Sequence, residues 1–541
     1  MVIDMRAITL TLAVLASPTA AAAAGPEACQ DLLPASVDMG PARSLEPEDL
    51  ARLRDIGSSD INLLGTPLIT LSPDGRRVAF QLRRADPEHN AYCLGIAVLD
   101  LRTRTTQLVD EGGEFFQSTI DFRGKADFPM GVARVVVPRW SPNGRWIAFL
   151  KRVDGHTQVW RVNADGGGAA PVIALDIDVE DFRISEDGAR LIYSTRPALA
   201  EAYRQIEQEG RSGFHYDDRY SPAASNRPFP APPIARVVQV LDLADGAVRD
   251  ATPAEAARLP ESVIQEPNHL EATGADGRRA WLEIPAEAIY TSRGRLVAED
   301  RNGRSIPCDH ALCDGASWPE WTAQGRVRFM RRDGWADAST AFYEWSPGAG
   351  APRRLWMTDD VLADCVPDDA FLICLREGSA TPRRVERIDP ATGRSEILFD
   401  PNPEFGRLAL GRIERLHLTN AFDQPSIADL VLPVGYKAGV RYPLIVVQYE
   451  TRGFLRGGTG DDYPIQAFAN RGYAVLSVGR PRTPGMGPNL TPADIQRINR
   501  ENLLGFAANR RALSSIEAGV RLAVERGVAD PARIGITGMG E

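Results

Sequence analysis

Residues 533–541, RIGITGMGE, hold the arrangement in this chain best suited to covalent chemistry. A short apolar strand runs into a glycine-rich turn, the setting in which the pattern G-x-S-x-G presents a serine nucleophile on a strained strand-to-helix elbow. Gly538, Met539, Gly540 and Glu541 occupy the first four places of that pattern, with Gly540 where the serine would stand. Glycine adopts such a turn more readily than serine, but it has no oxygen to attack a carbonyl. The backbone N–H after the nucleophile, here that of Glu541, is the donor an elbow uses to hold the oxyanion.

An elbow must be delivered by a sheet, and the preceding residues supply one. From residue 411, RIERLHLTN and IADLVLP read as a β-hairpin, YPLIVVQY as a continuous apolar strand, DDYPIQAFANRG as a helix and YAVLSV as a second buried strand. RALSSIEAGVRLAVERG then reads as a helix, and RIGITG as a third buried strand. Leu513, Ile516, Val520 and Val524 fall on one helical face, while Glu517, Arg521 and Glu525 are i,i+4 neighbours on another. Strands buried on both sides and alternating with amphipathic helices predict a parallel α/β sheet.

The residues before it have a different texture. SLEPEDLARLRDIG predicts a short helix with Ser44 as N-cap and Gly57 at its end. From about residue 64 to 399, short β-type runs are separated by Gly, Pro and Asp turns. One phrase recurs as LSPDGRRVAFQ, WSPNGRWIAFL, ISEDGARLIYS and, more faintly, WTAQGRVRFMR. A second phrase, of the type VQVLDLADGAVRDAT, reads as strand, turn, strand. Such repetition predicts a β-propeller, with a large sandwich as the competing fold, because each small sheet buries its faces only against its neighbours. Seven or eight blades are expected. Residues 198–222 interrupt the pattern with a helical stretch and an aromatic, charged loop. The predicted fold is an N-terminal β-propeller followed by the first part of an α/β-hydrolase sheet. Its divisions are a signal peptide (1–24), a helical linker (25–63), the propeller (64–410) and the partial hydrolase domain (411–541).

With 541 residues, 43% of them hydrophobic and 25% charged, the chain is long enough for more than one core. A net charge of −10 without a long basic run argues against nucleic-acid or anionic-membrane partners. The first residues carry Arg6, an apolar run and small residues with Ala22 and Ala24 placed for cleavage, which predicts export, with the periplasm the expected compartment. That run is too short to span a bilayer, and no later segment is long enough to do so. In an oxidising compartment the six cysteines are possible disulfides. Spacing brackets Cys308 with Cys313 and Cys365 with Cys374, leaving Cys29 with Cys93; free buried thiols are the competing reading. Cys308, His310 and Cys313 lack a second ligand pair with zinc-finger spacing, so neither a metal nor a cofactor is expected.

The signal peptide, the SPDG phrases and the antiparallel entry to a sheet ending in GITGMGE resemble the prolyl oligopeptidase family of serine peptidases. The stretch LPVGYKAGVRYPLIVVQYETRGF and the phrase GVADPARIGITGM are similar to its exported branch, the lasso-peptide isopeptidases. The resemblance implies a propeller capping an α/β-hydrolase, a peptide substrate, and cleavage of the isopeptide bond that closes a lasso ring. It matches Tyr449 to the family's oxyanion-hole tyrosine, a donor needed where charge develops on the carbonyl oxygen. It also implies that the catalytic Asp and His follow the nucleophile. All six histidines, His89, His156, His215, His269, His310 and His417, precede Gly540 and read as surface, loop or core residues, and Asp309 beside His310 is a coincidence of spacing.

The chain as written is therefore expected to be truncated at the elbow, to leave Ile534 and Ile536 at an exposed sheet edge, and to bind without acyl transfer. The alternative is a non-catalytic periplasmic propeller that captures peptides, for which His215, Tyr216, Asp217 and Tyr220 are the candidate contacts.

Overall fold

The computed structural model of the chain describes residues 29–34, 41–57, 67–259, 271–283, 294–368, 370–455, 464–485 and 490–538. The predicted leader lies outside them.

Six antiparallel sheets succeed one another along the chain, spanning residues 54–111, 139–171, 179–250, 271–307, 317–358 and 361–399. The recurring phrase forms the turn between the first two strands of a sheet. In WSPNG the Ser141 hydroxyl accepts from the Trp146 amide (3.1 Å), and the Gly144 amide donates to the Ser141 carbonyl (2.8 Å). Gly144 has φ of +67°, a conformation that costs residues with a Cβ. Ser72 and Ser185 accept from the Arg77 and Arg190 amides in the same way, each at 2.9 Å.

Apolar side chains fill the spaces between most consecutive sheets, as in the core that joins Ile96 and Val98 to Ile147 and Phe149. Leu150 and Val159 meet Phe182 and Leu191, and Met330 and Phe342 meet Leu372 and Ile388. The sixth sheet returns to the first, where Ile373, Leu375 and Val385 pack on Phe80 and Leu99.

The described residues form six such sheets rather than seven or eight. Two further β segments add no sheet of this kind. Gln117–Phe122 and Lys125–Ala133 pair only with each other, and Arg54–Ile56 joins the first sheet opposite residues 82–84. That pairing also shortens the predicted N-terminal helix to Pro47–Ala51. Its first turn is closed by the Asp49 carboxylate accepting from the Glu46 amide (2.9 Å), while Ser44 lies in a parallel bridge with Ala409. Ser44 is therefore not the cap. Cys29 is bonded to Cys93, Cys308 to Cys313, and Cys365 to Cys374 across paired strands.

In an antiparallel meander the connections after the second and fourth strands leave from the same end. The turn at 334–338, the turn after Gly378 and the insertion with helix Pro197–Gly210 all follow second strands. The first two touch the C-terminal half of the chain. Trp335 Nε1 donates to the carbonyls of Ser426 (2.8 Å) and Leu418 (3.2 Å), and Arg482 pairs with Asp337 (2.8 Å).

That half is one sheet of β1 (Ile413–Thr419), β2 (Pro425–Val431), β3 (Tyr442–Tyr449), β4 (Ala474–Gly479) and β5 (Ala529–Gly538), in the order β1-β2-β4-β3-β5. The hairpin is antiparallel, whereas β3 runs parallel to both β4 and β5. Helix α1 (Ile465–Asn470) covers one face through Ile465 and Ala469. Between it and the last helix lies α2 (Pro492–Leu503), which the sequence reading did not identify. Helix α3 (Ala507–Glu525) covers the other face. Ile516 is buried there, with Val520 and Val524 packed at its border, but Leu513 is 52% exposed. Ser514 and Ser515 take the buried places instead, bonded to the Ala421 amide and the Asn420 side chain.

One half-buried acid of the fifth sheet, Glu320, is held well above the ordinary carboxylate range. Glu320 faces Arg328 across its ladder, and burial, opposed only by Arg328, pushes its carboxyl up to about 7. An acid whose pKa is raised on folding favours the folded state below its unfolded value and loses that advantage as pH rises through the folded one. Glu320→Gln, which cannot ionise, is expected to match the parent in urea midpoint at pH 4. At pH 8 it should be more stable by about 1–3 kcal/mol.

Candidate active site

The site is built on β3, whose apolar, β-branched run is buried on both faces, as a central parallel strand requires. Leu444 and Val446 face the core beneath α3, and Val447 faces the side covered by α1. Pairing with β4 runs from Leu444 opposite Ala474 to Tyr449 opposite Gly479, so Tyr449 is the last residue of the strand. On the other side Gln448 pairs with Gly538. The last described residue of β5, Gly538, thus lies beside the carboxyl end of β3, at the edge of the sheet where α/β folds hold their ligands. Met539, Gly540 and Glu541 lie outside the described residues.

Tyr449 passes into a loop fixed by a buried carboxylate that the sequence reading did not single out. Asp429, on β2, accepts from Arg415 Nε (2.6 Å) and Nη2 (2.9 Å) and from the Thr451 hydroxyl (2.6 Å). Burial would lower the Arg415 pKa. The hydrogen bond to Asp429, with the charges of Asp429, Asp359 and Asp360, outweighs that and holds it above its ordinary value. The available signal was an acid in the otherwise apolar run IADLVLP, since a charge on a buried strand must have a partner.

The other predicted site residues are not brought to this edge by any contact among the described residues. His215, Tyr216, Asp217 and Tyr220 belong to the insertion in the third sheet, where Arg219 and Glu209 meet polar groups of two of them. Arg219 pairs with Asp217 (2.9 Å) and Glu209 (3.1 Å), and the His215 amide donates to Glu209 (3.0 Å). The Arg219 hydrogen bond holds the Asp217 carboxyl below its usual range. Tyr216 packs edge-on to Tyr220 yet remains 81% exposed. His310 caps the short turn Ala311–Cys313 by accepting from the Leu312 amide, and the neighbouring sulfurs are joined to each other, which removes them as metal ligands. His417 stacks on Trp335 at the contact between the two halves (5.6 Å). Ile534 and Ile536 are exposed on β5, which among the described residues pairs on one side only.

No family model matches the chain. Over 504 residues it is 39% identical to the lasso peptide isopeptidase AtxE2 of Asticcacaulis excentricus, a match spanning 92% of this chain and 71% of that protein. The chain belongs to the prolyl oligopeptidase family, in its lasso peptide isopeptidase branch. Two structures of AtxE2 superpose on it. A serine-to-alanine variant with Astexin3-dC4 bound has a TM-score of 0.83 and 38% identity, covering 93% of this chain and 76% of that one. The ligand-free enzyme also has a TM-score of 0.83, with 37% identity, covering 92% and 76%. The acylaminoacyl peptidase of Pyrococcus horikoshii, 18% identical with a TM-score of 0.55 over 92% of this chain and 75% of that one, shares the fold. The architecture is that of these peptidases, a propeller joined to a hydrolase domain.

The geometry around Asp429 predicts its contribution. Asp429→Ala strands a largely buried Arg415 and frees Thr451, so unfolding free energy should fall by about 3 kcal/mol. Arg415→Met with Asp429→Leu, which replaces the pair by apolar groups, should recover most of the loss in chemical denaturation.

Proposed function

We propose that this chain is an exported serine-type peptidase of the isopeptidase branch, whose substrate is a lasso peptide and whose scissile bond is the isopeptide bond of its ring. The supporting observation is the register that sets Gly538, the first residue of the elbow pattern, beside Gln448, the neighbour of Tyr449 on β3. In this reading the Tyr449 hydroxyl and the Glu541 amide stabilise the oxyanion, and position 540 is that of the attacking serine. With glycine there, the sequence as written binds peptide but cannot form an acyl-enzyme.

Export rests on the first 24 residues, with removal of the leader leaving a periplasmic protein of two domains divided near residue 410. No helix among the described residues is long and apolar enough to cross a membrane.

A second reading, peptide capture without catalysis, draws on the exposure of Tyr216 in the insertion that follows the second strand of the third sheet. The two readings diverge in a chimera completed with the remaining segment of an isopeptidase and carrying Gly540→Ser. Mixed with Astexin3-dC4, the peptide bound to AtxE2, this chimera should open the ring with gain of one water by mass spectrometry and react with a fluorophosphonate. The glycine form should do neither while binding the peptide in calorimetry. Tyr449→Phe in the serine form should lower kcat about 10²–10³-fold. Ring opening by the glycine form would overturn the role of position 540. A serine form that folds, binds and neither labels nor opens the ring would favour capture.

A further inference from the structure

The loop that follows Tyr449 is held twice, once from its own domain and once from the propeller. Thr451 is tied to Asp429, as described above. Three residues further on, the Phe454 amide donates to Glu377 Oε1 (2.6 Å), and the Leu455 amide donates to the Ser379 carbonyl (3.3 Å). Glu377 and Ser379 belong to the sixth sheet, at the end of strand Phe371–Gly378.

Glu377 is itself held in place. Its Oε2 accepts from Arg383 Nε (3.1 Å) on the next strand, and Arg383, wholly out of water, also donates from Nη1 to the Ile56 carbonyl (2.7 Å). The Phe454 ring is buried among Leu45, Leu50, Phe405, Leu408 and Ala467, drawn from the N-terminal segment, the stretch joining the domains and α1. Gly453 has φ of +62°, and a Cβ there would lie 2.7 Å from Glu377 Oε1. The backbone therefore approaches the carboxylate as closely as glycine alone permits.

A buried ion pair is a poor source of net stability compared with apolar side chains of the same volume. A charged acceptor aimed at one backbone N–H does fix position, because charge-assisted hydrogen bonds are short and directional. The group fixed here lies five residues after the end of β3, and the loop between them has only Thr451 as its other polar anchor described above.

We propose that Glu377 is a positioning residue for the oxyanion donor. From the propeller it fixes the loop that sets the end of β3, so that seating of the propeller on the hydrolase is coupled to the placement of Tyr449. The inference rests on the reading of Tyr449 as that donor, and the test separates the two.

Hydrogen exchange read by mass spectrometry on the full chain tests the clasp directly. Gly453→Ala pushes the loop off Glu377 while leaving the Glu377–Arg383 pair intact, and Glu377→Ala removes the acceptor. Each should accelerate exchange at 453–455 and at the end of β3 at least tenfold, with exchange in strand Thr381–Ile388 unchanged for Gly453→Ala. Glu377→Gln, which retains an acceptor oxygen, should restore much of the protection. A folded Gly453→Ala chain with parental exchange in the loop would overturn the proposal even if Glu377→Ala does not fold.

In the Gly540→Ser chimera, Gly453→Ala should lower kcat about tenfold at constant KM, and should cost nothing further in a Tyr449→Phe background. An equal loss with and without the Tyr449 hydroxyl would overturn positioning through Tyr449. Full turnover by the Tyr449→Phe chimera would instead remove the oxyanion reading, and with it any role for Glu377 in that step.

Discussion

The carboxylate of Asp429 is almost wholly out of water, with 1% of its side chain exposed, and much of the site is arranged around satisfying it. A charge so placed is tolerated only if hydrogen-bonded on several sides. Arg415 reaches it from the antiparallel neighbour and Thr451 from the loop after β3. Arg415 in turn feels Asp359 and Asp360, at the junction of the fifth and sixth sheets. One desolvated group thereby ties the entry hairpin, the strand end carrying Tyr449 and the neighbouring edge of the propeller into a single electrostatic unit.

Among the described residues, the polar contacts between the halves are chemically specific. Trp335 presents an indole N–H to two carbonyls of the hairpin, Arg482 meets Asp337, and Glu377 receives the Phe454 amide. Each comes from a turn or strand end on one side of the sheets, and the insertion bearing Tyr216 leaves the third sheet on that side too. Polar, directional contacts of this kind fix orientation, whereas the apolar cores between sheets fix the compactness of the propeller itself.

Much of this was legible in one dimension. The Ser-x-Asp/Asn-Gly phrase has a local cause, a side-chain oxygen closing a turn around a glycine of positive φ, so it reports a turn wherever it occurs. The run YPLIVVQY likewise announced a strand buried on both faces. Blade number was less legible, because Gln117–Ala133 has strand texture yet pairs only with itself, and Arg54–Ile56 completes a sheet begun elsewhere. Leu513 misled for a related reason. Helical periodicity identifies a face, but Asn420 and Ala421 had polar groups to satisfy, and Ser514 and Ser515 took the buried positions.

By itself the sequence determined the succession of short strands followed by an α/β sheet, the boundary in texture near residue 410 and the resemblance that selects Tyr449 and Gly540. These depend on propensity, periodicity and wording that are local in the chain. Only the tertiary structure decided that Gly538 lies beside Gln448, that Asp429 answers to Arg415 and Thr451, and that Glu377 reaches a loop 77 residues away. Those partners are chosen by sheet register and by the desolvation of charge, and neither is set before distant strands have met.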